Sequence, residues 1–93
     1  LSKGDLYRIV EVQFERLVRR ALLRLGYDAT LTGRAKDYLA SKGHDPIFGA
    51  RPLKRLITRE IVNAVSARIL RGEIAQGALL TIDAGQDGLT FEP

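Results

Sequence analysis

Cysteine, methionine and tryptophan are absent from this 93-residue sequence, and histidine occurs once. Without cysteine there is neither a disulfide framework nor a thiolate metal site. One imidazole, His44, supplies neither a zinc site nor a set of acid–base partners, so no metal-binding residues are assigned. No apolar run approaches the ~18–20 residues a membrane span requires, and no signal-peptide pattern opens the chain; no membrane partner is expected. The missing methionine, with Leu1 at the start, predicts a piece of a larger protein, with part of a larger machine's function. A G-x-x-x-x-G-K-[ST] phosphate loop is also missing, as is a hydrophobic strand ending in Asp-Glu. Ser2, Ser41, Ser66 and His44 form no nucleophile motif, and His44 beside Asp45 reads as a loop histidine near a turn.

The residues that are present describe a soluble globular unit, 45% hydrophobic and 28% charged. At this length one domain is expected, residues 1–93, with a small core able to stand alone. The net charge of +4 admits nucleic acid or phosphate partners without requiring them. Arginine outnumbers lysine, which suits bidentate contacts to carboxylate and phosphate.

From Asp5 to Leu25, apolar residues at 6, 10, 14, 17, 21 and 25 form one helical stripe that Gly26 ends. Asp5 suits the first turn, and Glu15 precedes Arg19 by four, the favourable order for a helical ion pair. Tyr27, Ala29 and Leu31 alternate with polar residues as a strand. Thr32 caps a second helix, with Ala35, Tyr38 and Leu39 inward and Gly43 at its end. His44 to Gly49 is a loop. Pro52, favoured at a first helical position, opens a third helix. Its stripe is Leu53, Ile57, Ile61, Val65 and Ile69, widened by Leu56 and Ala64, and Gly72 closes it. After a turn at Gly77, Leu80 and Ile82 alternate with their neighbours, as do Leu89 and Phe91, around a hairpin loop at Gly85–Gly88. The order α-β-α-α-β-β predicts an α+β domain, three helices packed on one face of a small three-stranded sheet.

Two basic features stand out. Arg16, Arg20 and Arg24 make a ridge on the first helix within reach of nucleic acid phosphates, but such a ridge is more often a solvated face or a contact to an acidic neighbouring subunit. In Gly49-Ala50-Arg51-Pro52-Leu53-Lys54-Arg55, Gly49 permits unusual backbone angles, Ala50 lets another surface approach, and Pro52 fixes the helix start. Arg51 is thereby held where peptide dipoles favour an anion. On these residues alone, a salt bridge at a helix end and a phosphate contact are equally good readings.

The run Gly43-His44-Asp45-Pro46-Ile47-Phe48-Gly49-Ala50-Arg51-Pro52-Leu53-Lys54-Arg55 resembles the G-Y-D-P-x-[FY]-G-A-R-P-L-[KR]-R signature of Clp/ClpB-type AAA+ ATPases, with His44 in place of tyrosine. The signature sits in the small C-terminal subdomain of their last ATPase module. The likeness extends to Ile9-Val10, to Leu31-Thr32 and to Ile69-Leu70-Arg71-Gly72, and Val12-Gln13 is more similar to the disaggregase branch. The resemblance implies a lid subdomain of a cytoplasmic, hexameric protein-remodelling chaperone that uses ATP with Mg²⁺. Arg51 would be the sensor-2 arginine at the γ-phosphate, Gly49 and Ala50 would border the nucleotide, and Ile9 would reach the adenine. Arg55, one turn further from the helix start, is less well placed than Arg51 for a phosphate contact. Implied partners are the adjoining AAA+ large subdomain, neighbouring subunits of a homohexamer, and unfolded or aggregated polypeptides. The lid alone would be catalytically inert, lacking residues for Mg²⁺ and for water activation. Asn63-Ala64-Val65 departs from the family's Asn-Pro-Leu, and the lost proline should straighten the third helix locally. The alternatives are the same subdomain of a protease-coupled Clp unfoldase, and a small basic nucleic-acid-binding domain.

Overall fold

The computed structural model describes residues 1–93. Helix α1 begins as Lys3–Phe14, passes through a π-helical turn at Glu15–Arg19 and ends as Arg20–Arg24. Strand β1 (Asp28–Leu31) and helix α2 (Gly33–Lys42) follow. Helix α3 repeats the α1 pattern: Leu53–Ile57, a π-helical turn at Thr58–Val62, then Asn63–Leu70. Strands β2 (Leu79–Gly85) and β3 (Gly88–Glu92) complete the chain. The element order is the expected one. The sheet order is β1-β2-β3, with β1 parallel to β2 (Asp28 opposite Leu79, Leu31 opposite Ile82). β2 is antiparallel to β3, with Ile82 opposite Phe91.

Side-chain alternation decides which sheet face is covered. Ala29, Leu31, Leu80 and Ile82 enter the core, while Thr30 between the first pair and Leu79 just before the second are exposed and Thr81 is half-buried. From the helices come Val10, Phe14, Val18 and Leu22 of α1, Ala35, Leu39 and Ala40 of α2, and Leu53, Leu56, Ile57, Ile61 and Val65 of α3. No polar side chain is buried.

The buried positions of α1 correct the expected stripe. After Phe14 the core side is Val18 and Leu22, one residue later than Leu17 and Ala21, and Leu25 is 59% exposed. The π turn is the cause. In a regular α-helix each four-residue step overshoots a full turn by about 40°, so the three steps from residue 10 to 22 would drift by about 120°. In the π turn the N–H of Arg20 bonds the carbonyl of Glu15, five residues back. This accommodates one extra residue and returns about 100° of the drift. A stripe spaced strictly by four thereby stays on one face. The same holds in α3, where Asn63 N–H bonds the Thr58 carbonyl and the stripe 53-57-61-65 is again all fours. The two π turns pack against each other, with Val18 and Ile61 buried. Helix α3 is therefore not regular just before Asn63, where the missing proline was expected to straighten it.

The ends are fixed by polar contacts. Ser2 and Asp5 form a capping box on α1, each side chain accepting the other's backbone N–H at 3.1 Å. Glu15 pairs with Arg19 at 3.1 Å as expected, and Arg19 also reaches Asp28 at 2.8 Å, which ties α1 to β1. Thr32 Oγ1 accepts the Ala35 N–H and donates to Asp83 Oδ1 at 2.6 Å, while Arg34 pairs with Asp83 Oδ2 at 2.6 Å. This network joins the start of α2 to β2.

Candidate functional site

The site is built around the loop that delivers residues 49–51 to the start of α3. Gly43 ends α2 in a crowded position, where an added Cβ would meet the Leu39 carbonyl at 2.8 Å. The chain then turns through Asp45-Pro46-Ile47-Phe48-Gly49. The Asp45 carboxylate accepts the N–H groups of Ile47 (2.8 Å) and Phe48 (3.0 Å). The backbones of Asp45 and Gly49 exchange two hydrogen bonds, each of 2.7 Å. Gly49 takes φ 64°, the left-handed region that glycine enters without strain. The N–H groups of Phe48 and Ile47, in that order, hold the Asp45 carboxyl below its ordinary pKa.

Beyond this loop the Arg51 N–H donates to the Phe48 carbonyl at 3.2 Å and the Leu53 N–H to the Ala50 carbonyl at 3.0 Å. Pro52 sits at the N-cap with α-helical φ −69°, and the helix proper starts at Leu53, one residue later than expected. Gly49 and Ala50 are half-buried and Arg51 is exposed. The Arg51 guanidinium lies 5.5 Å from the centre of the Phe48 ring, a cation–π distance. It forms no salt bridge. The salt-bridge reading of this arginine thus has no carboxylate to support it.

Arg51, Lys54, Arg55, Thr58, Arg59 and Asn63 line one open hollow of about 450 Å³. No carboxylate lines it, although Arg59 also reaches Glu60 at 3.9 Å. A smaller hollow of about 220 Å³ is bordered by Phe48, Arg51, Pro52 and Arg55. Arg55 thus borders the same space as Arg51, and its place one turn along α3 does not remove it from the site. Converging cations without acids form a surface suited to an anion with several charged oxygens. No group of three or more His, Asp or Glu side chains is placed to hold a metal ion.

Of the four residues assigned from the sequence, Gly49, Ala50 and Arg51 are consecutive at the head of α3. Ile9 is on α1, half-buried and packed against the core. The start of α1 does approach the loop, since the Leu1 side chain is 3.8 Å from where a Gly49 Cβ would stand. The sequence reading missed Asp45 as the organiser of the loop, although Asp-Pro is a recognised turn initiator. It also missed Lys54, Arg55 and Arg59 as companions of Arg51. The signal was available, because Arg51, Arg55 and Arg59 are spaced by four along one helix. The ridge of Arg16, Arg20 and Arg24 is exposed on α1 as expected.

Residues 1–82 match the family model described as the C-terminal, D2-small domain of ClpB protein. Similar curated proteins include "Chaperone protein ClpB" of Meiothermus ruber, 46% identical over 99% of this chain and 11% of that protein. The protein of that name from Brucella suis is 42% identical over 100% of this chain and 10% of its own length. "Chaperone protein ClpB 1" of Parasynechococcus marenigrum is 44% identical over 98% of this chain and 10% of its own. The chain spans about a tenth of the length of these relatives.

Proposed function

The chain belongs to the family of D2-small domains of ClpB proteins, and from that premise we propose that it is the lid of an ATP-dependent protein-remodelling chaperone. In this reading Arg51 is the sensor-2 arginine, reaching the γ-phosphate of a nucleotide held on an adjoining large subdomain. The observation that carries it is an exposed arginine without an acidic partner, fixed at the head of α3 among Lys54, Arg55 and Arg59. A guanidinium pre-oriented on a ring, in a hollow without carboxylates, is matched to charge that grows on phosphoryl oxygens during transfer.

These residues fit the phosphates and not the accompanying Mg²⁺, for which the chain offers no carboxylate cluster. Metal ligands and the water-activating group would come from the large subdomain, with Gly49 and Ala50 bordering the nucleotide and Ile9 toward the adenine. Neighbouring subunits of a hexamer and unfolded or aggregated polypeptides are the partners this role requires. The similar proteins are ClpB chaperones by name, which favours the chaperone branch over a protease-coupled unfoldase.

The test is Arg51→Ala in the full-length chain that carries this domain, against Arg24→Ala on the exposed α1 ridge. The expected result for Arg51→Ala is a loss on the order of 100-fold in kcat for ATP hydrolysis. Stability should stay within about 0.5 kcal/mol of wild type, because the side chain is exposed and unpaired. Arg24→Ala should leave both unchanged. Wild-type turnover in Arg51→Ala would remove the sensor role. Retention of DNA or RNA by the 93-residue chain in a gel shift, with steep salt dependence, would replace it with the nucleic-acid reading that the α1 ridge allows.

A further inference from the structure

The geometry points to Asp45 as a positioning residue for Arg51, an inference that rests on the sensor reading above. Four hydrogen bonds converge on Asp45: its carboxylate accepts from Ile47 and Phe48, and its backbone exchanges a pair with Gly49. Together they close the segment from 45 to 49 into a ring. Hydrophobic burial does not hold this ring, because Ile47 is 83% exposed and Phe48 56% exposed. Its shape therefore depends on polar contacts, and the Asp45 side chain supplies both contacts that reach the tip.

The ring sets Arg51 by two routes. One is covalent, through Gly49 at φ 64° and Ala50. The other runs through Phe48, whose carbonyl accepts the Arg51 N–H and whose ring lies under the guanidinium at 5.5 Å. Loss of the Asp45 carboxylate frees the N–H groups of Ile47 and Phe48, so the ring beneath the guanidinium is no longer fixed. Arg51 itself keeps every atom. The loss is one of orientation, which falls on the transition state and so on kcat more than on KM.

The experiment uses Asp45→Ala, Asp45→Asn, Arg51→Ala and the Asp45→Ala/Arg51→Ala double variant in the full-length chain, with kcat and KM for ATP and a melting curve for each. Asp45→Ala should lose on the order of 10-fold in kcat with a smaller change in KM. Asp45→Asn keeps an acceptor oxygen and should recover to within about 2-fold of wild type. The double variant should be no slower than Arg51→Ala alone, since a residue acting only through Arg51 has nothing left to act on. Wild-type kcat in Asp45→Ala beside an impaired Arg51→Ala would overturn the positioning role and leave the sensor reading standing. Losses that multiply in the double variant, or a collapsed melt in Asp45→Ala, would also overturn it. An unimpaired Arg51→Ala would remove the sensor reading and this inference together.

Discussion

Leu22→Ala and Leu25→Ala, made separately in the 93-residue chain, test the π turn of α1 directly. Leu22 is 5% exposed and belongs to the core, whereas Leu25 is 59% exposed. Truncating a buried leucine to alanine removes its transfer free energy and leaves a cavity, typically about 2–5 kcal/mol. Full burial of a leucine side chain is worth about 1.5–3 kcal/mol, so the two-fifths of Leu25 that is covered accounts for about 1 kcal/mol. With about 5–10 kcal/mol of total stability, a loss near 3 kcal/mol for Leu22→Ala removes roughly 30–60% of the whole. In a domain of this size 1 kcal/mol moves Tm by roughly 4–8 °C. A loss near 3 kcal/mol therefore predicts a Tm drop of about 12–24 °C for Leu22→Ala, against less than about 8 °C for Leu25→Ala. Thermal and urea unfolding followed by circular dichroism measure both. An unbroken α-helix with the 17-21-25 stripe inward would reverse the order. Equal losses, or a larger one for Leu25→Ala, would refute the phase shift.

Ile61→Asp should abolish cooperative unfolding, because Ile61 is fully buried in the α3 π turn and a lone charge there has no partner; a melt within a degree or two of wild type would reject the assigned core. Stability should fall as pH drops below about 4. Asp83, chiefly through Arg34 and then Thr32, and Asp28, chiefly through Arg19, titrate lower in the folded state than unfolded. Their contribution is present above the unfolded carboxylate range and is lost as protons bind on descent. Asp83→Asn should make the Tm–pH curve shallower on that acid limb, and an unchanged curve would remove Asp83 from the account. The 93-residue chain alone should not turn over ATP, and phosphate release that persists through repeated purification would contradict the lid role proposed for it.

The fold was legible where local signals agreed with tertiary demand. Alternation at Tyr27–Leu31 and at Leu80–Ile82 identified the core face of the sheet, and Thr32 was recognised as a cap that the structure shows on Ala35. The lower half of α1 was misread by one residue. A pattern of i and i+3 or i+4 positions assumes 3.6 residues per turn, and Leu17, Ala21 and Leu25 satisfied it as well as Val18 and Leu22 did. The unbroken four-residue spacing of 10-14-18-22 and of 53-57-61-65 is the feature that separates a π-containing helix from a regular one. At the site, Gly49-Ala50-Arg51 was legible because glycine and proline punctuate it. Asp45 and Arg55 carried only partial signals, an Asp-Pro turn and a four-residue spacing from Arg51; the hydrogen bonds to Ile47 and Phe48 and the hollow the arginines share depend on the path of the chain.

The parallel pairing of β1 with β2 also governs the order of folding. Asp28 lies opposite Leu79, with α2 and α3 in the intervening chain. The β2–β3 hairpin can close through its own short turn, whereas β1 must wait for a loop of about half the chain to close. The length-dependent part of that closure entropy is about 3–4 kcal/mol. Docking of β1 is therefore a late and sequence-distant event, and it sets the contact order that slows the whole domain. A nascent chain that has reached only Leu70 holds all three helices and β1, yet lacks any strand to pair with Ala29 and Leu31. Until the last strands emerge, that edge is open to other chains, the exposure that invites misassembly.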